Sequence, residues 1–460
     1  MALLASLGSR LATSVHPERI VDNPSIHSHD GHMTILSPAL KQATPVVVDH
    51  AIGSYIFGTD GEKYLDFTSG IGVTSTGHCH PRVVAAAREQ AGKIIHAQFT
   101  TVMHTPLLEL TDKLGEVLPE GMDSVFYLNS GSEAVEAAIR QARMATGRPN
   151  IIAFHGGFHG RTVAAASLTT AGTKFRSGFS PIMGGVHISP FPYAFRYGWD
   201  EQTAVTFALK ELDSLLATIS SPADTAAFII EPALGDGGYL PTPPAFLEGL
   251  RERATHHGII LILDEVQAGV GRTGKFWGHQ YSSITPDILI TAKGLASGFP
   301  LSAIAAPLDL MKKAWAGSQG GTYGGNAVSC AAAVATLDVV REEGLVENAR
   351  VRGLQLQAGL KRLAATRPVI GDVRGLGLMQ GLEFVDGDGE PNPEAAAAVQ
   401  QAAIKQNLLL LTCGTRGNVV RVIPALIVSD AEIEQGLSAF EAALNDSGAV
   451  PVLEPTGATA

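Results

Sequence analysis

The chain has 460 residues, of which 45% are hydrophobic and only 17% charged, and its formal net charge is −11. That balance excludes intrinsic disorder, which needs low hydrophobicity with high charge, and an acidic chain without a basic run excludes nucleic acid and anionic membranes as partners. Three cysteines without paired spacing (Cys79, Cys330 and Cys413) exclude a disulfide scaffold and fit a reducing compartment, so a cytoplasmic location is expected; no apolar run reaches the roughly 18 residues of a membrane-spanning helix.

The opening MALLASLGSRLATS has a short apolar patch with no basic segment ahead of it, and reads as a loose or partner-packed terminus. Arg10 and the Ser and Thr residues before the first acid, Glu18, leave a transit peptide as the second reading. YIFGTDGEKYLDFTSGIG, from Tyr55, predicts a hairpin turning at Asp60-Gly61. Short apolar, β-rich runs follow at SVFYLN (124–129), NIIAFH (150–155), AAFIIEP (226–232), GIILILDE (258–265) and DILITAKG (287–294). Between them, SEAVEAAIRQARMATG (132–147) carries Val135, Ile139 and Ala142 on one helical face, and PAFLEGLRERATHHG (244–258) carries Phe246, Leu247, Leu250 and Ala254. Continuous apolar strands alternating with helices predict a mostly parallel sheet covered on both faces. Further on, NAVSCAAAVATLDVVREEG (326–344) and a long helix through Leu354 and Leu363 precede short strands around GLMQGLEFV and NVVRVIPALIV and a last helix, DAEIEQGLSAFEAALN. The expected class is α/β: a large, mostly parallel sheet domain over 76–340 and a smaller α+β domain over 341–445. Residues 1–75 are expected to contribute to the small domain, and 446–460 form a tail.

In open parallel sheets ligands bind beyond the carboxyl ends of the strands, so the residues after each apolar run carry the functional argument. After SVFYLN, Ser130-Gly131-Ser132 opens a helix. Free backbone amides and the helix dipole make a phosphate site there; an ordinary Ser N-cap is the alternative. After GIILIL stands Asp264, a carboxylate that needs a cationic partner, a cap or a salt bridge. After DILIT stands Lys293, followed by Gly294. A buried lysine has a depressed pKa and forms Schiff bases readily; a structural ion pair is the alternative. A phosphate site, an anion for a ring nitrogen and an imine-forming amine together describe the partners of pyridoxal phosphate. Gly269-Val270-Gly271-Arg272-Thr273-Gly274 matches a dinucleotide fingerprint, but no helical pattern follows it, so it reads as a loop. His155 and His159 have helical spacing, but Gly156, Gly157 and Gly160 around them argue against a helix, and no metal site is expected. Phe158 in that glycine loop suits stacking on a flat ring.

The segments SGSEAVEAAIRQAR, FHGGFHGRT, IIEPALGDGGY, ILDEVQAGVGRTG, ITAKGLASGFPL and GGTYGGNAVSCAAA, in this order, resemble the class III PLP-dependent aminotransferases over roughly Tyr55 to Leu444. The resemblance implies PLP fold type I, the aspartate aminotransferase-like architecture, with pyridoxal 5′-phosphate as cofactor. It implies that Lys293 holds the cofactor covalently and moves protons, and that Asp264 pairs the ring nitrogen. Gln267 is implied near the ring hydroxyl, Val266 and Phe158 on the two ring faces, and His159 beside Phe158. Ser130, Gly131 and Ser132 are implied around the phosphate. Thr322, in GGTYGGN, is implied to reach the phosphate of a neighbouring subunit, hence a homodimer with shared active sites or a dimer of such dimers. GDVRGLGLMQGLEF and NLLLLTCGTRGNVVRVIPALIVSDAEIEQGL are most similar to bacterial 4-aminobutyrate aminotransferases. That likeness implies that Arg421 clamps the α-carboxylate of 2-oxoglutarate or glutamate, and that Glu231 pairs Arg421 or releases it as substrates alternate. Arg161 is implied to hold the distal carboxylate, and Ile71 to line the pocket. Leu234 and Asp236 replace the family's glutamine and glutamate, and Pro424-Ala425 replaces a proline pair; these departures lie on the substrate side. The implied reaction is ping-pong transfer of an ω-amino group to 2-oxoglutarate. An amino-acid racemase or epimerase, or a broader amine transaminase, is the alternative on the same scaffold.

Overall fold

The computed structural model describes residues 36–449; the opening MALLASLGSRLATS and residues 450–460 of the expected tail lie outside the described residues. Residues 36–46 carry one turn and neither strand nor helix. The predicted hairpin is present. After β1 (Val48–Ile52), β2 (Tyr55–Gly58) and β3 (Lys63–Asp66) pair antiparallel. The turn between them closes as the Gly58 amide donates to the Glu62 carbonyl at 2.9 Å, with Gly61 at φ 85° where a side chain would be strained.

The next strands build one large sheet: β4 (Ser124–Leu128), β5 (Asn150–Phe154), β6 (Val186–Ser189), β7 (Thr225–Ile230), then, beyond a small ribbon of β8 (Ala233–Leu234) and β9 (Leu240–Pro241), β10 (Ile260–Asp264), β11 (Ile288–Thr291) and β12 (Ser302–Ala306). Their order is β4-β12-β11-β10-β7-β5-β6. Every pairing is parallel except the two made by β12, which runs antiparallel to β11 and β4. Successive side chains alternate between faces. Ile151, Ala153, Ala227, Ile229, Ile262 and Ile290 join the core under the helix Gly131–Thr146, whose Ala134, Val135 and Ala138 face them. Ile152, Phe154, Phe228, Ile230, Leu261 and Leu263 pack on the other side, with Leu212 and Leu216 of the helix Glu201–Thr218 and Phe246 and Leu250 of the helix Pro244–His257. Helices on both faces bury the central strands β7, β10 and β11 completely, which is why they read as unbroken apolar runs.

The last part forms a four-stranded antiparallel sheet, β13 (Ile370–Leu376), β14 (Met379–Phe384), β17 (Val419–Val422) and β16 (Leu411–Cys413), in the order β13-β14-β17-β16. Helices Leu345–Ala364, Pro393–Lys405 and Asp430–Asp446 share a core with it through Leu356, Leu360, Val399, Leu437 and Phe440. The intervening β15 (Leu408–Leu409) pairs in parallel with β3, so the N-terminal hairpin and the C-terminal part share a sheet. Among the described residues no helix is long and apolar enough to cross a membrane, and all three cysteines are free.

Candidate active site

The carboxyl ends of β4, β5, β7, β10 and β11 open on one cavity of about 520 Å³. Every site residue predicted from the sequence lines it except Thr322, which is exposed elsewhere in this chain. At the end of β4, Ser130 caps the helix Gly131–Thr146. Its hydroxyl accepts from the Glu133 amide at 3.3 Å, and the Glu133 carboxylate accepts from the Ser130 amide at 2.9 Å. The N-cap reading of Ser130 therefore holds for its side chain, while the Gly131 and Ser132 amides are the helix's first donors, without partners in its own ladder. Two glycines keep the approach to them open. A Cβ on Gly131 would lie 3.2 Å from a Val266 methyl, and one on Gly160, where φ is 132°, would lie 2.3 Å from the Ser132 hydroxyl oxygen.

At the end of β10, Asp264 is buried and accepts at 2.8 Å from the equally buried His159, and at 3.1 Å from the Val266 amide. Burial alone would lower the His159 pKa, but its hydrogen bond to Asp264 and the charges of Asp264 and Glu231 outweigh that and raise it. The second ring nitrogen of His159 and the side-chain oxygen of Gln267 are buried without a protein partner. At the end of β11, Lys293 sits at φ 42°, an unusual backbone conformation for a lysine. Burial depresses its pKa, an effect opposed by the nearby Asp236, Glu231 and Asp264. An amine that gives up its proton readily is what nucleophilic attack on a carbonyl needs. Ile71 also has positive φ, at 70°, between Gly70 and Gly72, and its carbonyl accepts weakly from Gln267 at 3.4 Å.

The substrate side departs from expectation in one contact. Arg421, on β17, donates to Asp236 at 2.6 Å, not to Glu231. Glu231 instead accepts from the backbone amides of Phe158 at 2.8 Å and Gly235 at 2.9 Å. The reason is the path of the β8–β9 loop. It turns at Gly235–Gly238 and carries Asp236 to the small sheet, where the Gly414 amide also donates to the Asp236 carbonyl at 2.9 Å. Glu231, at the base of that loop, stays with the large sheet. Arg161 lines the cavity with its guanidinium 4.6 Å from the Phe175 ring centre, and Lys174 holds its amine 4.9 Å from the same ring. Neither Lys174, Phe175 nor the Thr412–Gly414 edge is legible in the sequence: the first two lie in a single 3-10 turn, Thr173–Phe175, and the last in a short strand and bend, with no periodic signal. Gly269–Gly274 forms turns and opens no helix, and His155 and His159 are not helical. Among the described residues no cluster of metal-ligating side chains exists.

The arrangement holds a helix N-terminus that could take a phosphate, a carboxylate–imidazole pair, a buried lysine whose pKa is lowered by that burial, and the guanidiniums of Arg161 and Arg421, the latter masked by Asp236. A family model described as Aminotransferase class-III matches residues 37–444. The chain is 39% identical over 402 residues to the 5-aminovalerate aminotransferase of Pseudomonas putida, covering 87% of this chain and 93% of the relative. It is 38% identical over 399 residues to the 4-aminobutyrate aminotransferase of Escherichia coli, covering 86% and 92%. Among solved structures, an omega transaminase from Pseudomonas jessenii in complex with PMP matches with a TM-score of 0.82 and 29% identity, over 88% of this chain and 93% of that one.

Proposed function

This chain belongs to the class III aminotransferases, which depend on pyridoxal 5′-phosphate and have the α/β architecture of PLP fold type I, and we propose that it moves the ω-amino group of a 4-aminobutyrate-like donor to 2-oxoglutarate in two alternating half-reactions. The residues present fit the cofactor. The cradle that a Cβ on Gly131 or Gly160 would fill lies over the helix N-terminus, and the unpartnered His159 nitrogen and Gln267 oxygen are buried around the same cavity. Gly131 and Ser132 would hold the phosphate, Asp264 the ring nitrogen, Phe158 and Val266 the ring, and Lys293 the carbonyl carbon. When bound, the cofactor supplies the electron-withdrawing ring and the carbon that carries the amino group between substrates.

The protein's own groups do the rest. Asp264, oriented by His159, holds a proton at the ring nitrogen. Lys293 would hold the cofactor and would move a proton at the substrate carbon. Its burial lowers its pKa, which favours that work. Arg161 binds the distal carboxylate of the ω-amino donor. Arg421 binds the α-carboxylate of 2-oxoglutarate or glutamate in a bidentate pair. Asp236 neutralises Arg421 when the donor, which has no α-carboxylate, is in place.

The observation that carries the reading is the Arg421–Asp236 pair in the same cavity as Arg161: a guanidinium masked by a carboxylate and a second guanidinium stacked on Phe175 suit two substrates that differ by an α-carboxylate. Thr322, exposed here, is assigned to the partner's phosphate in a homodimer, and free cysteines support a cytoplasmic setting. Loaded enzyme mixed with 4-aminobutyrate or 5-aminovalerate alone should lose its aldehyde absorbance. Adding 2-oxoglutarate should restore it and yield glutamate, and the same sample should sediment as two chains or a multiple of two. The reading fails if ω-amino acids leave the spectrum unchanged while a chiral α-amino acid exchanges its α-proton, or if amines without a carboxylate react as well as 4-aminobutyrate. A monomer fully active at working dilution would remove the shared site.

A further inference from the structure

We propose that Arg374 is a positioning residue that fixes Asp236 opposite Arg421, and so sets the balance between the two substrates; this rests on the reading of Arg421 as the α-carboxylate clamp. Arg374 on β13, Gly381 on β14 and Arg421 on β17 lie in one cross-strand row, with Arg374 opposite Gly381 and Gly381 opposite Arg421. Residues directly opposite share a sheet face, so the two guanidiniums flank a position without a side chain. The β8–β9 loop fills that gap. A Cβ on Gly381 would lie 3.1 Å from the Tyr239 Cβ and 3.2 Å from the Gly238 carbonyl oxygen. Arg421 takes the Asp236 side chain at 2.6 Å. Arg374 takes the Gly238 carbonyl with two donors, Nε at 3.0 Å and Nη2 at 2.8 Å.

Arg374 is itself held. Its Nη1 donates to Asp372 at 2.9 Å and to buried Glu383, which also accepts from the Tyr193 hydroxyl and from Asn418 at 3.2 Å. The charge of this buried arginine is balanced by those carboxylates. The forked grip on a neutral carbonyl, two residues beyond Asp236, adds nothing to charge balance but fixes where the loop stands. Gly238 has φ 124°, and a Cβ there would lie 3.0 Å from the Arg374 Nη2, so bare backbone is what admits the grip.

If Arg374 sets the Asp236–Arg421 distance, loosening it weakens Asp236 as a competitor for Arg421. Dicarboxylates then bind more tightly, and donors that need Arg421 masked bind less tightly. Arg374→Lys keeps the charge beside Glu383 but loses the fork. The expected result, with kcat little changed, is a KM for 2-oxoglutarate and a Kd for glutarate (a dicarboxylate with no reacting group) that fall by about three-fold or more, while the KM for 4-aminobutyrate rises by a similar factor. Asp236→Asn should give the same opposed signs more strongly, and adding Arg374→Lys to it should change little further. If Arg374→Lys does not accumulate, the charge-neutral pair Arg374→Gln with Glu383→Gln carries the same readout. Should Asp236→Asn split the two constants while the Arg374 variants move both in one direction or change kcat alone, the positioning role is overturned and the Arg421 reading stands. Should Asp236→Asn itself produce no split, the Arg421 reading fails and the proposal with it.

Discussion

Glu231 spends both carboxylate oxygens on backbone amides, those of Phe158 and Gly235, and so ties the glycine loop after β5 to the β8–β9 loop. Burial raises its pKa from 4.5 to about 7, with Asp264 adding to the rise and His159 and the two amides opposing it. A folded-state pKa above the unfolded value means that the protonated acid favours folding. That contribution is full below pH 4.5 and is lost as the pH rises through about 7. In cofactor-free protein, the melting temperature of the wild type relative to Glu231→Gln should therefore fall between about pH 5 and about pH 8; a difference that stays constant over that range would contradict the assignment. At this scale the cavity was partly legible in sequence. Lys293 and Asp264 stand out because a charge that ends a fully buried strand needs a reason. The Arg421 partner was not legible, since Glu231 and Asp236 are five positions apart in one loop, and only the loop's path decides which carboxylate reaches β17.

Among elements, the joint between β4 and the helix Gly131–Thr146 does two jobs at once. The Ser130–Glu133 capping box satisfies two of the helix's terminal groups and leaves the Gly131 and Ser132 amides facing the cavity. The loop after β5 lies against this joint, and the Arg161 amide donates to the Ser132 hydroxyl at 3.2 Å. Gly160→Ala would put a methyl group 2.3 Å from that oxygen, at a φ of 132°. We expect it to weaken pyridoxal phosphate binding by about ten-fold or more and to cost about 1–3 kcal/mol of stability. Cofactor titration and thermal melts check this, and unchanged affinity would remove the joint from the phosphate site. β7, β10 and β11 are legible in sequence because burial on both faces leaves continuous apolar runs. β12 is not: SAIAA is rich in small residues, and the direction of a strand leaves no mark on its composition. The same holds for cross-strand register, which alone places Arg374 in line with Arg421.

For the molecule as a whole, some of the 51 glycines serve close approach at the cavity. Gly131, Gly160, Gly235 and Gly294 each stand where a Cβ would strike a side chain around the cavity or the strand end behind it. Exposed Ile94, Ile95, Val102, Met103, Trp315 and Tyr323 are apolar surface that a second copy of the chain, carrying Thr322 to the shared site, is proposed to cover. The N-terminal hairpin closes on β15 across nearly the whole sequence. The proposed chemistry depends on covalent attachment of the cofactor to Lys293, at the end of β11. Borohydride reduction of the cofactor-loaded enzyme, followed by peptide mass analysis, tests it most directly. A phosphopyridoxyl group is expected on the peptide containing Lys293, and no such group in a Lys293→Ala variant. An unmodified Lys293 peptide from reduced, fully loaded enzyme would contradict it.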